Sequence, residues 1–177
     1  MMADKRTRIT GIFAALAALA CTASAQTKIG YVNSQEVLEK SVEGKKILAR
    51  LQDSDQKNAA AVAKADAEIQ TLTSRLNTQR LTLTAEAAAT LTAELDRKTT
   101  ERKRIAEDAY AAWTALRDRV LGTLQTELLA IVNQIGKEKG YDLILDLMKS
   151  GAVYWNPALD LTAEVIRRYD ASKVPAK

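Results

Sequence analysis

The chain has 177 residues, with 26 Lys and Arg against 22 Asp and Glu, one cysteine (Cys21) and no histidine. That composition excludes imidazole general bases, Ser-His nucleophile pairs, histidine metal ligands and CxxC redox chemistry. Hydrophobic residues make up 47% of it, but 31 residues are alanines, which favour helix and supply little core volume.

Residues 1–25 read as a secretory signal peptide. Lys5, Arg6 and Arg8 precede an apolar stretch from Ile9 to Ala20, and Ala23-Ser24-Ala25 supplies the small residues of a cleavage site. The apolar run is too short for a membrane-crossing helix of about 20 residues. A second reading makes Cys21 a lipid-attachment cysteine, with the leucine and the small residue before it interchanged relative to the usual order. Removal of the segment leaves 23 cations against 21 acids and no cysteine.

Lys28-Ile29-Gly30-Tyr31-Val32-Asn33 reads as a short strand. Asn33 followed by Glu36 resembles a capping box opening a short helix over 35–40. After a bend at 41–44 a long helix is expected, with its seam on Leu48, Leu51, Asp55, Asn58, Val62, Ala65, Ile69, Leu72 and Leu76 at alternating spacings of three and four. Leu81-Thr82-Leu83-Thr84 interrupts it, and Thr84 with Glu86 suits a new N-terminus. The second helix carries Ala88, Leu91, Leu95, Lys98, Arg102, Ile105, Ala109, Ala112 and Leu116 on its seam and continues through Val120, Leu124, Leu128, Ile131 and Ile135 to a stop at Gly140.

Between Gly44 and Gly122 there is no glycine, and no aromatic residue occurs from Val32 to Ala109. Such a stretch cannot fill a globular centre and predicts two thin antiparallel helices, each about 57 Å long. The aromatics outside residues 1–25 (Tyr31, Tyr110, Trp113, Tyr141, Tyr154, Trp155 and Tyr169) fall toward the ends, where a body is expected. Its further strands are expected at 141–146 and 152–156, joined by a turn at Lys149-Ser150-Gly151, and Asp160 caps a last helix over 161–169. Three short strands leave two open edges and ask for self-association. The expected organisation is a hairpin arm over 43–109 with its turn near 81–84, on a β-rich body made of 26–42 and 110–177.

Arg97, Lys98, Arg102, Lys103 and Arg104 form a cationic cluster, with Arg75 and Arg80 on the opposing arm. They are candidate contacts for acidic clients and anionic lipid head groups, or else a solvated face paired with Glu94, Asp96, Glu101 and Glu107. No aromatic is interleaved for base stacking, so nucleic acid is not an expected partner. Leu81 and Leu83 at the turn are candidate client contacts or turn-closing leucines. Asp142 and Asp146 are about 13 Å apart along a strand, too far for paired carboxylate catalysis. With no phosphate-binding glycine loop or zinc pattern, neither an enzyme nor a cofactor is expected.

Several of these segments together resemble the Skp family, the OmpH-like periplasmic chaperones of outer-membrane proteins. They are Lys28-Ile29-Gly30-Tyr31-Val32-Asn33, Val37-Leu38, Ser41-Val42-Glu43-Gly44-Lys45, Gly140-Tyr141-Asp142-Leu143-Ile144-Leu145-Asp146, Val153-Tyr154 and Asp160-Leu161-Thr162-Ala163-Glu164-Val165-Ile166. The resemblance runs from Lys28 to Tyr169. It implies an α+β fold: a small β-rich trimerisation body bearing a long antiparallel coiled-coil hairpin. It further implies a homotrimer whose arms surround a cavity, holding unfolded outer-membrane proteins in the periplasm without ATP, with anionic lipid or lipopolysaccharide as a further partner. Ile29, Tyr31, Leu143, Leu145, Val153 and Trp155 are then the expected oligomer interface. The competing reading is a structural coiled-coil adaptor or tether of the cell envelope.

Overall fold

The computed structural model describes residues 27–174; the expected signal peptide and Cys21 lie outside the described residues. In chain order the elements are β1 (Ile29–Val32), α1 (Ser34–Lys40), α2 (Val42–Gln79), α3 (Ala85–Lys139), β2 (Leu143–Asp146), the four-residue helix α4 (Leu147–Ser150), a 3-10 turn (Pro157–Leu159) and α5 (Thr162–Ser172). Side-chain caps account for most helix starts. Asn33 Oδ1 accepts from the Glu36 N–H at 3.1 Å, Ser41 Oγ from Gly44 N–H at 3.0 Å and Thr84 Oγ1 from Ala87 N–H at 3.2 Å. The reciprocal half of a capping box is absent at α1, because the Asn33 N–H is taken by Thr162 Oγ1 and Glu36 pairs with Lys40. Gly140 ends α3 at φ 64°, the left-handed conformation suited to glycine.

α2 and α3 pack antiparallel as the two limbs of the hairpin, and α3 runs on for 55 residues through the body. At about 1.5 Å per residue it is roughly 80 Å long. The seam on α2 follows the expected positions from Asn58 to Leu76, but nearer the body it is shifted. Ile47 is buried and Ser54 half-buried, whereas the expected Leu48 and Asp55 are exposed. The eighteen-residue step from Ile47 to Ala65 is five turns of a straight helix; a strict heptad drifts away from such a helix by about 20° per repeat. The base of α2 also packs toward the body core, which holds Ile47 inward. On α3 the expected Ala112 is exposed and the bulkier Trp113 is half-buried instead.

β1 and β2 pair in parallel, Ile29 opposite Leu143 through Val32 opposite Asp146. Parallel neighbours require a crossover connection. Here α1 and the whole hairpin supply it. Leu161 N–H donates to Tyr31 O at 2.9 Å, so β1 is flanked on its other side by residues 160–161. The expected strand over 152–156 does not form: these residues are irregular and exposed. A β-strand is held by a neighbour's backbone, and within one chain no ladder reaches this segment. The expected turn at 149–151 is likewise replaced in part by α4, capped by Asp146 Oδ1 accepting from Met148 N–H. The core lies where α1, α5 and the base of the hairpin meet, with Val37, Ile135, Val165 and Tyr169 fully buried.

Candidate functional site

The hairpin divides the cationic cluster in two. Arg102 reaches across from α3 and bonds Asp66 with both fork arms, Nε to Oδ1 at 2.8 Å and Nη2 to Oδ2 at 3.2 Å. Lys98 Nζ lies 2.7 Å from Glu68 of α2 and 3.2 Å from Glu101. These contacts hold the Asp66 and Glu68 carboxyls below the usual carboxylate range, first through the hydrogen bond from the cation and then through its charge. Two candidate client cations are thereby interhelical stitches. Lys103 makes only a loose 3.9 Å pair with Glu107. Arg75, Arg80, Arg97 and Arg104 have no carboxylate within 4.0 Å among the described residues, although Arg75 donates to Gln79 at 3.4 Å.

At the tip, Leu81 is 98% exposed while Leu83 is half-buried and its N–H bonds Gln79 O. The Leu83 backbone closes the turn while its side chain stays part-exposed, and Leu81 projects from the tip. Farther down the arm, Tyr110 is 72% exposed and lines a shallow cavity of about 270 Å³ with Asp55, Asn58, Ala109 and Trp113. Asn58 Nδ2 donates to Ala109 O there at 3.1 Å. Neither aromatic belongs to the body core, contrary to the expectation that all aromatics gather there.

The body leaves apolar surface uncovered. Ile29, Leu143, Leu145 and Trp155 are each more than one-third exposed, and Val153 and Tyr154 are almost wholly so. Tyr31 differs: it is buried within its own chain, with the Trp155 ring against it edge-on at 5.9 Å. Burial is also the first reason its phenol pKa is raised. Beside β2 an open groove of about 510 Å³ is walled by Val32, Leu38, Leu121, Leu124, Leu128, Leu129, Val132, Ile144 and Leu145. Ser34, Gln35, Gln125, Asp146 and Lys149 form its polar lining.

A second cleft, of about 390 Å³, opens at the hairpin base between α2, α3 and α5. Its lining includes Lys46, Arg50, Arg119 and Lys173 with Glu43, Glu127 and Tyr169. Glu127 accepts from the Tyr169 hydroxyl at 2.8 Å and from Lys173 Nζ at 2.5 Å. The Lys173 hydrogen bond is the main reason that carboxyl is held below its usual range, whereas burial pushes the Tyr169 phenol well above its own. No linear pattern marks this cleft. Its cations come from helices far apart in sequence, and only the i, i+4 spacing of Lys46 and Arg50 hints at a shared face.

The paired aspartates are structural. Asp142 Oδ2 accepts from the Lys28 N–H at 2.7 Å, and Asp146 Oδ1 accepts from Ser34 Oγ at 3.0 Å. Among the described residues no three His, Cys, Asp or Glu side chains are placed to hold a metal ion. Among those residues, too, no helix is long and apolar enough to cross a membrane.

A long helical hairpin inserted between the two parallel strands of a small body, with apolar surface open on that body, defines an α+β hairpin protein. Residues 28–169 match the family described as Outer membrane protein (OmpH-like), and the chain belongs to that family. Its fold is similar to a crystal structure from Caulobacter crescentus CB15, whose name describes a candidate outer membrane chaperone (OmpH-like). The TM-score is 0.72 over 86% of this chain and 89% of that one, with 21% identity. No curated protein matches the chain.

Proposed function

We propose that the protein is a periplasmic, ATP-independent holdase that binds unfolded outer-membrane β-barrel proteins and keeps them from aggregating, acting as a homotrimer. The observation that carries this reading is a slender arm with weak self-packing on a body whose own apolar surface is unfinished. Away from the body, Ala65 and Leu91 are the only buried hydrophobic residues along the described hairpin. A seam in which Ser54, Asn58, Ala65 and Ala109 interrupt the larger apolar residues offers shallow contacts there and lets the limbs flex. An unfolded barrel exposes dispersed apolar side chains and unpaired backbone. Many weak contacts inside a space bounded by several arms suit it better than one tight groove, because confinement raises the local concentration. Leu81, Leu83 and the cations Arg75, Arg80, Arg97, Lys103 and Arg104 are the arm residues proposed to meet client or anionic lipid, including lipopolysaccharide. Lys98 and Arg102 act there through the hairpin they stitch.

Assembly follows from the body. Ile29, Leu143, Leu145, Val153 and Trp155 are proposed as subunit-interface residues, with Tyr31 supporting Trp155 from below. An irregular, exposed Val153-Tyr154-Trp155 segment and an apolar groove beside β2 are complementary in character, and a two-stranded sheet is marginal alone. Residues 1–25 are proposed to direct export and to be removed.

The test is a urea-diluted outer-membrane protein followed by light scattering. Micromolar protein should suppress scattering, and added salt should weaken the effect. Unchanged scattering transfers the reading to an envelope adaptor that binds a folded partner. In parallel, light-scattering molar mass should correspond to three chains. The V153D/Y154D variant should lower that mass while leaving helicity intact, since both side chains are exposed in the single chain. A stable monomer in the parent protein refutes the cavity.

A further inference from the structure

We propose that the cleft at the hairpin base is an oxyanion site for the phosphate-monoester class, held between Arg50 and Arg119. The cleft holds four cations against two carboxylates, and each carboxylate already has a lysine. Lys46 pairs with Glu43 at 3.1 Å and Lys173 with Glu127 at 2.5 Å. Tyr169 spends its hydroxyl on Glu127 as well, and Thr123 Oγ1 donates to the Arg119 carbonyl within its own helix. Arg50 on α2 and Arg119 on α3 line the same cavity, and neither has a carboxylate within 4.0 Å among the described residues.

Two guanidiniums without a carboxylate partner, on neighbouring helices, line this one cleft. A guanidinium fork matches two oxygens of a phosphate, and its weak hydration lowers the cost of desolvating it. A concave wall with cations in excess concentrates the field that a convex helix face disperses. Arg97 and Arg104 are equally free of carboxylates and equally exposed, but they do not line this cleft. A carboxylate carries a single charge and fills one fork. A phosphate monoester carries about −1.5 to −2 at neutral pH and three terminal oxygens, which engages both. The site is independent of the chaperone reading, since it needs only the base of the hairpin and α5.

The probes are inorganic phosphate in solution and phosphatidylcholine vesicles with or without phosphatidic acid, whose headgroup is a phosphate monoester. Calorimetry on the purified protein should detect phosphate binding. R50Q/R119Q should weaken it at least about tenfold, the scale of a lost charge-assisted contact. K137Q/R167Q, at two exposed cations outside both the cleft and the arm, carries the same charge change and should stay within about twofold, as surface substitutions away from a site do. R50K/R119K keeps the charge without the forks and should fall between them, which separates fork geometry from charge alone. Helix melting by circular dichroism checks that all three variants fold. Co-sedimentation with the phosphatidic acid vesicles, lost in R50Q/R119Q alone, assigns the headgroup as a source; phosphate binding without co-sedimentation assigns the free ion. Absence of phosphate binding to the parent protein, or equal weakening by the cleft and control pairs, overturns the proposal.

Discussion

Gly44 sits in the first turn of α2, buried, where the chain doubles back from α1. A Cβ built there would lie 2.1 Å from the Leu38 carbonyl oxygen, 2.7 Å from the Leu38 carbonyl carbon and 2.7 Å from Ser41 Oγ. Ordinary contact begins near 3.4 Å, so the end of α1 and the start of α2 must separate by more than 1 Å. Two of the three obstacles are backbone atoms, which no rotamer change relieves. The overpacking falls at the upper end of about 1–3 kcal/mol. Displacing Ser41, whose hydroxyl caps α2 through the Gly44 N–H, adds about 1 kcal/mol. Alanine returns about 1 kcal/mol through helix propensity. Gly44→Ala should therefore destabilise the body by about 3 kcal/mol net. Gly122 is the control: it is exposed in α3 and nothing lies within 4 Å of an added Cβ. Gly122→Ala should stabilise by up to about 1 kcal/mol. Urea unfolding, with the midpoint read at constant m, measures both. If G44A is as stable as its parent, or if the two variants shift the midpoint alike, the steric account of this junction is wrong.

Two other predictions concern charge. In a double-mutant cycle, Asp66→Asn and Arg102→Gln should couple favourably at low salt, weakly as befits an exposed pair, and the coupling should fade in high salt. No coupling at low salt would deny the pair its role as a stitch. Acid should loosen the body. The Glu127, Glu138 and Glu164 carboxyls are held below their usual range, chiefly by hydrogen bonds from Lys173, Arg168 and Lys139 respectively. Because their folded pKa values are depressed, the stability they contribute is present above the ordinary glutamate value of about 4.3 and is lost as pH falls through the folded values. Thermal unfolding should be flat near neutrality and decline below about pH 4, and Glu127→Gln should blunt that decline. The Tyr169 phenol is raised, so its contribution is present below about pH 10 and is lost on going to stronger alkali. Tyr169→Phe should reduce the alkaline loss; an unchanged alkaline limb would show that the phenol is not its source.

The sequence alone determined the hairpin: a run without glycine or aromatics, apolar spacings of three and four, and helix boundaries at Asn33, Thr84 and Gly140. Those signals act within a turn or two of helix, so they survive in any tertiary setting. Tertiary structure decided what depends on a distant partner. β1 pairs in parallel with β2 across the whole hairpin, and residues 152–156, with equally good strand composition, find no ladder within the chain. The seam turns from Leu48 to Ile47 because the body core claims that face, and Lys98 and Arg102 are spent on acids from the other limb. The cleft of Arg50 and Arg119 exists only once α2, α3 and α5 converge. A cap or a periodicity is written in neighbouring residues, whereas a strand partner, an ion partner or a concave surface is chosen by whatever the fold brings alongside.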